Sequence, residues 1–198
     1  MLLLFCSPAV EGMRACLAPE AMTPMQQPST ILDHPIVSSH YFFPRHEAFP
    51  EPYWVEAADG SRLACAYHVV DPAAKTVIYF HGNGEIVADY LPDFPRWLGQ
   101  AGYNVLLAEY RGYGMSTGQP ALVGMFADVS AIIQRLGIAE QQVVLFGRSI
   151  GSLYAVHGGV QASAHCWTDS GKRYCQHYRA VFLCVSLQQS LGCHTPIS

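Results

Sequence analysis

Residue types and spacing first suggest chemistry at Gly147-Arg148-Ser149-Ile150-Gly151. A serine hydroxyl is a weak nucleophile until a base takes its proton. Its placement therefore matters as much as its presence. The apolar run 142–146 predicts a strand and Ser152–His157 a helix. Strand, Gly-x-Ser-x-Gly, helix is the context of a nucleophile elbow, a turn so sharp that a side chain at Gly147 or Gly151 would clash. Such a turn holds Ser149 clear of the sheet. The plain alternative is a chance Gly-x-Ser-x-Gly in a glycine-rich chain, and the strand–turn–helix context speaks against it.

Two further motifs end predicted strands. Lys75–Phe80 is an apolar, β-branched and aromatic run that stops at His81-Gly82-Asn83-Gly84. Tyr103–Glu109 stops at the glycine-rich loop Tyr110–Gly118. A dinucleotide-binding reading of the first motif needs a third glycine, and Val87 stands in its place. Glycines 82 and 84 let the backbone approach a ligand closely. Glu109 and Arg111 read as a structural pair or loop anchor, Tyr113 as a packing residue or one that borders the site, and His81 as a base by residue type alone.

The elements that must carry these residues follow from pattern. Asp59-Gly60 is a turn signal between runs 53–57 and 63–70, which predicts a hairpin. Residues 86–100 read as a helix broken by Pro92 and Pro95. Residues 121–136 have helical spacing, with Leu122, Met125, Phe126, Val129, Ile132, Ile133 and Leu136 on one face. Continuous apolar strands alternating with helices indicate a mostly parallel sheet covered on both faces. Active sites in such sheets gather beyond the carboxyl ends of the strands.

His81-Gly-Asn-Gly-Glu85, Glu109-Tyr-Arg-Gly-Tyr-Gly114 with Ser116, and Gly147-Arg-Ser-Ile-Gly151 occur in that order. With these motifs, residues 52–157 resemble the first half of an α/β-hydrolase, nearest the bacterial hydrolases grouped with serine aminopeptidases and esterases. The resemblance implies an α/β fold, incomplete here, with an N-terminal antiparallel hairpin. It also implies hydrolysis of an ester or amide through an acyl-enzyme on Ser149. The oxyanion would be bound by the backbone N–H groups of Ile150 and Asn83, and His81 would shape the loop. The implied partner is a small-molecule ester or amide substrate, with no metal or organic cofactor.

A complete fold of this kind continues through further strands that carry an acid and then a histidine. Residues 160–198 contain one acidic residue, Asp169, and runs such as Ala180–Val185 that fit no regular alternation. His157 would lie ~12 Å along the helix from Ser149, too far for a hydrogen bond. His165, His177 and His194 follow the serine, but nothing puts them at strand ends. Shifting the reading of codons compatible with 164–180 by one base permits a buried strand and a helix start. Trp167-Thr168 then forces a glycine. The expectation is a one-base slip near codons 158–163. The chain divides accordingly into a lead-in at 1–40, a hydrolase core at 41–159, and a non-homologous, poorly packed tail at 160–198. A strand at 142–146 lacking its later neighbours would expose an edge.

Bulk properties bound the rest. The chain has 198 residues, 51% hydrophobic and 13% charged, with net charge −4. It suits one globular domain, and with no basic run nucleic acid is not an expected partner. No apolar stretch approaches the ~18 residues of a membrane span. Met1–Phe5 is apolar but short and lacks a preceding basic residue, so a cytoplasmic location and a misassigned start are expected. Cys166, Cys175, Cys184 and Cys193 recur every nine residues, yet no Cys-x-x-Cys pair gives a zinc or redox signature.

Overall fold

A computed structural model describes residues 31–170 and 179–183, with side chains described over 31–161. The predicted hairpin forms from β1 (Tyr53–Glu56) and β2 (Arg62–His68). Gly60 takes the left-handed conformation (φ +83°) that its turn requires, and Asp59 Oδ1 accepts from Ser61 N at 3.0 Å. The central strands are β3 (Thr76–Phe80), β4 (Asn104–Ala108) and β5 (Val143–Arg148). A sixth, β6 (Arg179–Leu183), completes the order β1-β2-β4-β3-β5-β6. β1, β2 and β4 pair antiparallel, and β4, β3, β5 and β6 pair parallel.

Every residue of β3 and β4 is buried, as expected of strands covered on both faces. β5 differs. Val143, Leu145 and Gly147 are buried, whereas Val144, Phe146 and Arg148 are only half-buried. The expected bare edge of β5 is not found, because β6 pairs with it from Val144↔Arg179 to Arg148↔Leu183. The apolar run at 180–185 lacked a sequence alternation because a strand needs only an apolar, β-branched stretch and a partner edge.

The broken helix at 86–100 is a 3-10 turn, Val87–Tyr90, followed by α2 (Asp93–Gln100). Pro95 is tolerated in the first turn of α2, where a missing N–H costs no intrahelical bond. α3 (Gly124–Leu136) ends at Gly137 with φ +61°, a left-handed cap. α4 (Gly151–Ser170) runs well beyond its predicted end near residue 157, and no proline interrupts it. At Gly158 an added Cβ would lie 2.9 Å from Leu145 Cδ1 and 3.0 Å from Val129 Cγ1, so this glycine lets α4 close on β5 and α3.

Part of the expected lead-in is structured. Ile31–Asp33 is a 3-10 turn and α1 spans Pro35–Tyr41. Asp33 Oδ1 accepts from Val123 N at 2.7 Å, so a distant carboxylate serves the start of α3. Residues 1–30, His177, His194, Cys175, Cys184 and Cys193 lie outside the described residues, and so do the side chains of Cys166, His165 and Asp169.

Candidate active site

β3 and β5 lie side by side with Phe80 opposite Gly147, so the loop after one and the turn after the other begin at the same level. The turn is as tight as its glycines require. A Cβ on Gly147 would meet the Gly151 carbonyl oxygen at 2.3 Å. One on Gly151 would meet the Phe80 carbonyl oxygen at 2.1 Å and that of His81 at 2.6 Å. These neighbours are backbone and cannot swing aside. Between the glycines, Ser149 is exposed and has φ +54°, a strained conformation for a residue with a Cβ. Ser149 O then accepts from Ser152 N at 3.0 Å and opens α4. The serine therefore stands at a helix N-terminus, where the backbone dipole favours developing negative charge.

The loop after β3 is built around a buried histidine–carboxylate hydrogen bond. His81 Nε2 lies 2.8 Å from Glu109 Oε1, with both side chains almost wholly out of solvent. His81 Nδ1 faces the Gly82 carbonyl at 2.9 Å. Both ring nitrogens are engaged, so neither is left for Ser149. Glu109 also accepts from Val87 N (2.9 Å) and Tyr110 N (3.1 Å). Arg111, expected beside Glu109, binds elsewhere. It donates through Nε to Asp128 Oδ2 at 2.7 Å and through Nη1 to Asp59 Oδ2 at 2.6 Å. Those bonds raise the Arg111 pKa above its ordinary value, with Asp128 the largest cause, despite the opposing effect of burial. Each residue is an anchor, but in a different network.

Asn83 is tied by its side chain. Its Oδ1 accepts from Tyr113 Oη at 2.8 Å and from Phe43 N at 3.2 Å, and its Nδ2 donates to the Tyr41 carbonyl. Burial pushes the Tyr113 hydroxyl up to about 12, so it stays a donor at neutral pH. Tyr113 is thus buried packing, as expected, with a second role in orienting Asn83. Sequence reasoning did not bring Tyr41–Phe43 here, since nothing in that stretch signals contact with a loop some forty residues on. Ile150 is half-buried against the core. Among the described residues, no hydrogen bond engages the backbone N–H of Asn83 or Ile150 or the hydroxyl of Ser149. No described imidazole or carboxylate bonds that hydroxyl. His157 packs instead on the Phe126 ring, with centroids 4.5 Å apart, and burial lowers its pKa. Among the described residues, no cluster of three or more His, Cys, Asp or Glu could hold a metal. No described helix is long and apolar enough to cross a membrane.

A mixed, mostly parallel sheet with a positive-φ serine at the end of β5, beside a second loop at the same sheet end, is the arrangement of an α/β-hydrolase. Residues 71–168 match the family described as serine aminopeptidase, S33. The uncharacterised protein YfhR of Escherichia coli strain K12 is 30% identical over 131 residues, which cover 59% of this chain and 46% of that protein. The chain thus spans about half the length of the curated relatives it matches. A predicted CIB-like hydrolase from Thermoplasma acidophilum shares the fold at TM-score 0.50 and 21% identity, covering 57% of each chain. DcsB, solved with its substrate analogue, shares it at TM-score 0.50 and 19% identity, covering 55% of this chain and 40% of that one.

Proposed function

We propose that this chain is a serine hydrolase of small-molecule esters or amides that works through an acyl-enzyme on Ser149 and is impaired in its present form. The observation that carries this reading is an exposed serine at φ +54° between two glycines that tolerate no Cβ. In the reaction, the Ser149 hydroxyl attacks the substrate carbonyl, and the oxyanion takes hydrogen bonds from the N–H groups of Asn83 and Ile150. The acyl group passes to Ser149 as the alcohol or amine leaves, and water then releases the acid. The proton transfers need a base, and the described part of the chain supplies none to Ser149.

The impairment is attributed to the C-terminal region. We take residues 41–159 as the hydrolase core and 160–198 as a tail produced by a one-base slip near codons 158–163. Resequencing the gene across those codons tests this. An intact frame with no downstream hydrolase code rejects it.

A fluorophosphonate probe tests the chemistry. Labelling should fall on Ser149, vanish in Ser149→Ala, and run roughly 10⁴- to 10⁶-fold slower than with a complete triad. The second reading is a non-catalytic remnant or binding module with a hydrolase-like cleft. The lack of a partner for the Ser149 hydroxyl among the described residues favours it, and a complete absence of labelling in folded protein would select it.

A further inference from the structure

The loop after β3 and the turn at Ser149 are joined by an ion pair that the reaction scheme does not use. Glu85, three residues beyond Gly82, pairs with Arg148, the residue immediately before Ser149. The carboxylate is held from other sides as well. Its Oε2 accepts from Gly82 N at 2.7 Å and from Tyr90 Oη at 2.6 Å. Tyr90 Oη in turn receives the Tyr79 hydroxyl at 3.0 Å. The pair lies directly against the Gly82 backbone. A Cβ there would sit 2.9 Å from Glu85 Oε2 and 3.2 Å from Arg148 Nη1. Of the residues joined, Glu85 lies two positions beyond Asn83 and Arg148 immediately precedes Ser149. The two side chains are 24% and 39% exposed, so solvent screens the pair only in part.

We propose that Glu85–Arg148 is a positioning latch that sets the separation between the loop carrying the Asn83 N–H and the turn carrying Ser149 and the Ile150 N–H. This rests on the assignment of Ser149 as nucleophile and of those N–H groups as oxyanion donors. The two segments already touch through backbone on one side, where Gly151 abuts the carbonyls of Phe80 and His81. The latch supplies a second point of attachment, and two points fix a relative orientation that one leaves free. Oxyanion stabilisation depends on that orientation, because the donors must meet a charge that exists only in the transition state. The glycine at 82 gains a reason here beyond loop flexibility: any side chain would displace the carboxylate.

The test uses the full 198-residue chain and the variants Arg148→Gln, Glu85→Gln, Arg148→Lys and the double Gln variant. Amide hydrogen exchange should quicken at least about tenfold at 82–87 and 149–152 in either single Gln variant, with the amides of β3 and α3 unchanged. The maximal rate of fluorophosphonate labelling should fall about tenfold to a hundredfold with the probe's binding constant unchanged. Arg148→Lys should recover most of that rate, and the double variant should be no slower than either single one. Unchanged exchange at both segments overturns the latch, as does faster exchange spread evenly over the sheet. If the wild-type serine does not label at all, the nucleophile assignment fails, and exchange alone still decides whether the latch exists.

Discussion

The loop after β3 and the turn after β5 lie at the same end of the sheet but are built in opposite ways. The loop is over-determined. His81, Asn83, Glu85, Glu109 and Tyr113 all have hydrogen-bond partners, most of them out of solvent. The turn carries a strained serine whose hydroxyl has no partner among the described residues. The same contrast runs through the strands beneath, since β3 is buried throughout and β5 on alternate residues only. Along the exposed side of α4, Leu153, Val156 and Val160 are 51%, 42% and 62% accessible, an apolar stripe at helical spacing. The part of the proposed oxyanion site that comes from early segments is self-sufficient among the described residues. On that proposal, the part that would receive a base depends on what packs against β5 and α4.

The strongest way to break the contrast is to remove the backbone contact that joins the two sides. Gly151→Ala drives a Cβ into the Phe80 carbonyl and should destabilise by about 4 kcal/mol or more, read from denaturant unfolding. Next is the loop's buried carboxylate. Glu109→Ala strands His81 and two backbone N–H groups, and should cost about 3–5 kcal/mol in the same measurement. The turn should respond in the other direction. Ser149→Gly relieves the positive φ and should stabilise by about 1 kcal/mol while abolishing probe labelling. A Ser149→Gly variant no more stable than wild type would remove the claim of strain.

The smallest effect sharpens the α4 side. The folded-state pKa of His157 lies below its ordinary value of 6.5 because burial disfavours the cation. Between those two values the unfolded chain binds more protons than the folded one. The contribution of His157 is therefore complete above pH 6.5 and is lost as the pH falls through and below it. Unfolding free energies from pH 8 to 5 should show this slope, and His157→Phe should flatten it while keeping the contact with Phe126.

Legibility followed sequence distance. The elbow, the hairpin turn at Asp59-Gly60 and the buried runs of β3 and β4 were readable because their determinants are adjacent residues with special backbone needs or a local period. Pairings between distant polar groups were not. His81 and Glu109 are 28 residues apart, Arg111 and Asp128 17, and Asp33 and Val123 90. A carboxylate carries no mark of which cation it will meet, so of the two readings, pair or loop anchor, only the anchor holds for Glu109 and Arg111.

The sequence by itself determined that a serine would sit on a reversed turn at the end of the sheet, because glycines at 147 and 151 and an apolar strand before them admit few other conformations. Only the tertiary structure decided which side chains hold those loops, that Tyr41–Phe43 borders Asn83, and that β5 gains a neighbour in β6. Those outcomes depend on surfaces meeting in space, and hydrogen-bonding and ion-pairing groups are too alike along a chain to specify their partners before the backbone has brought them together.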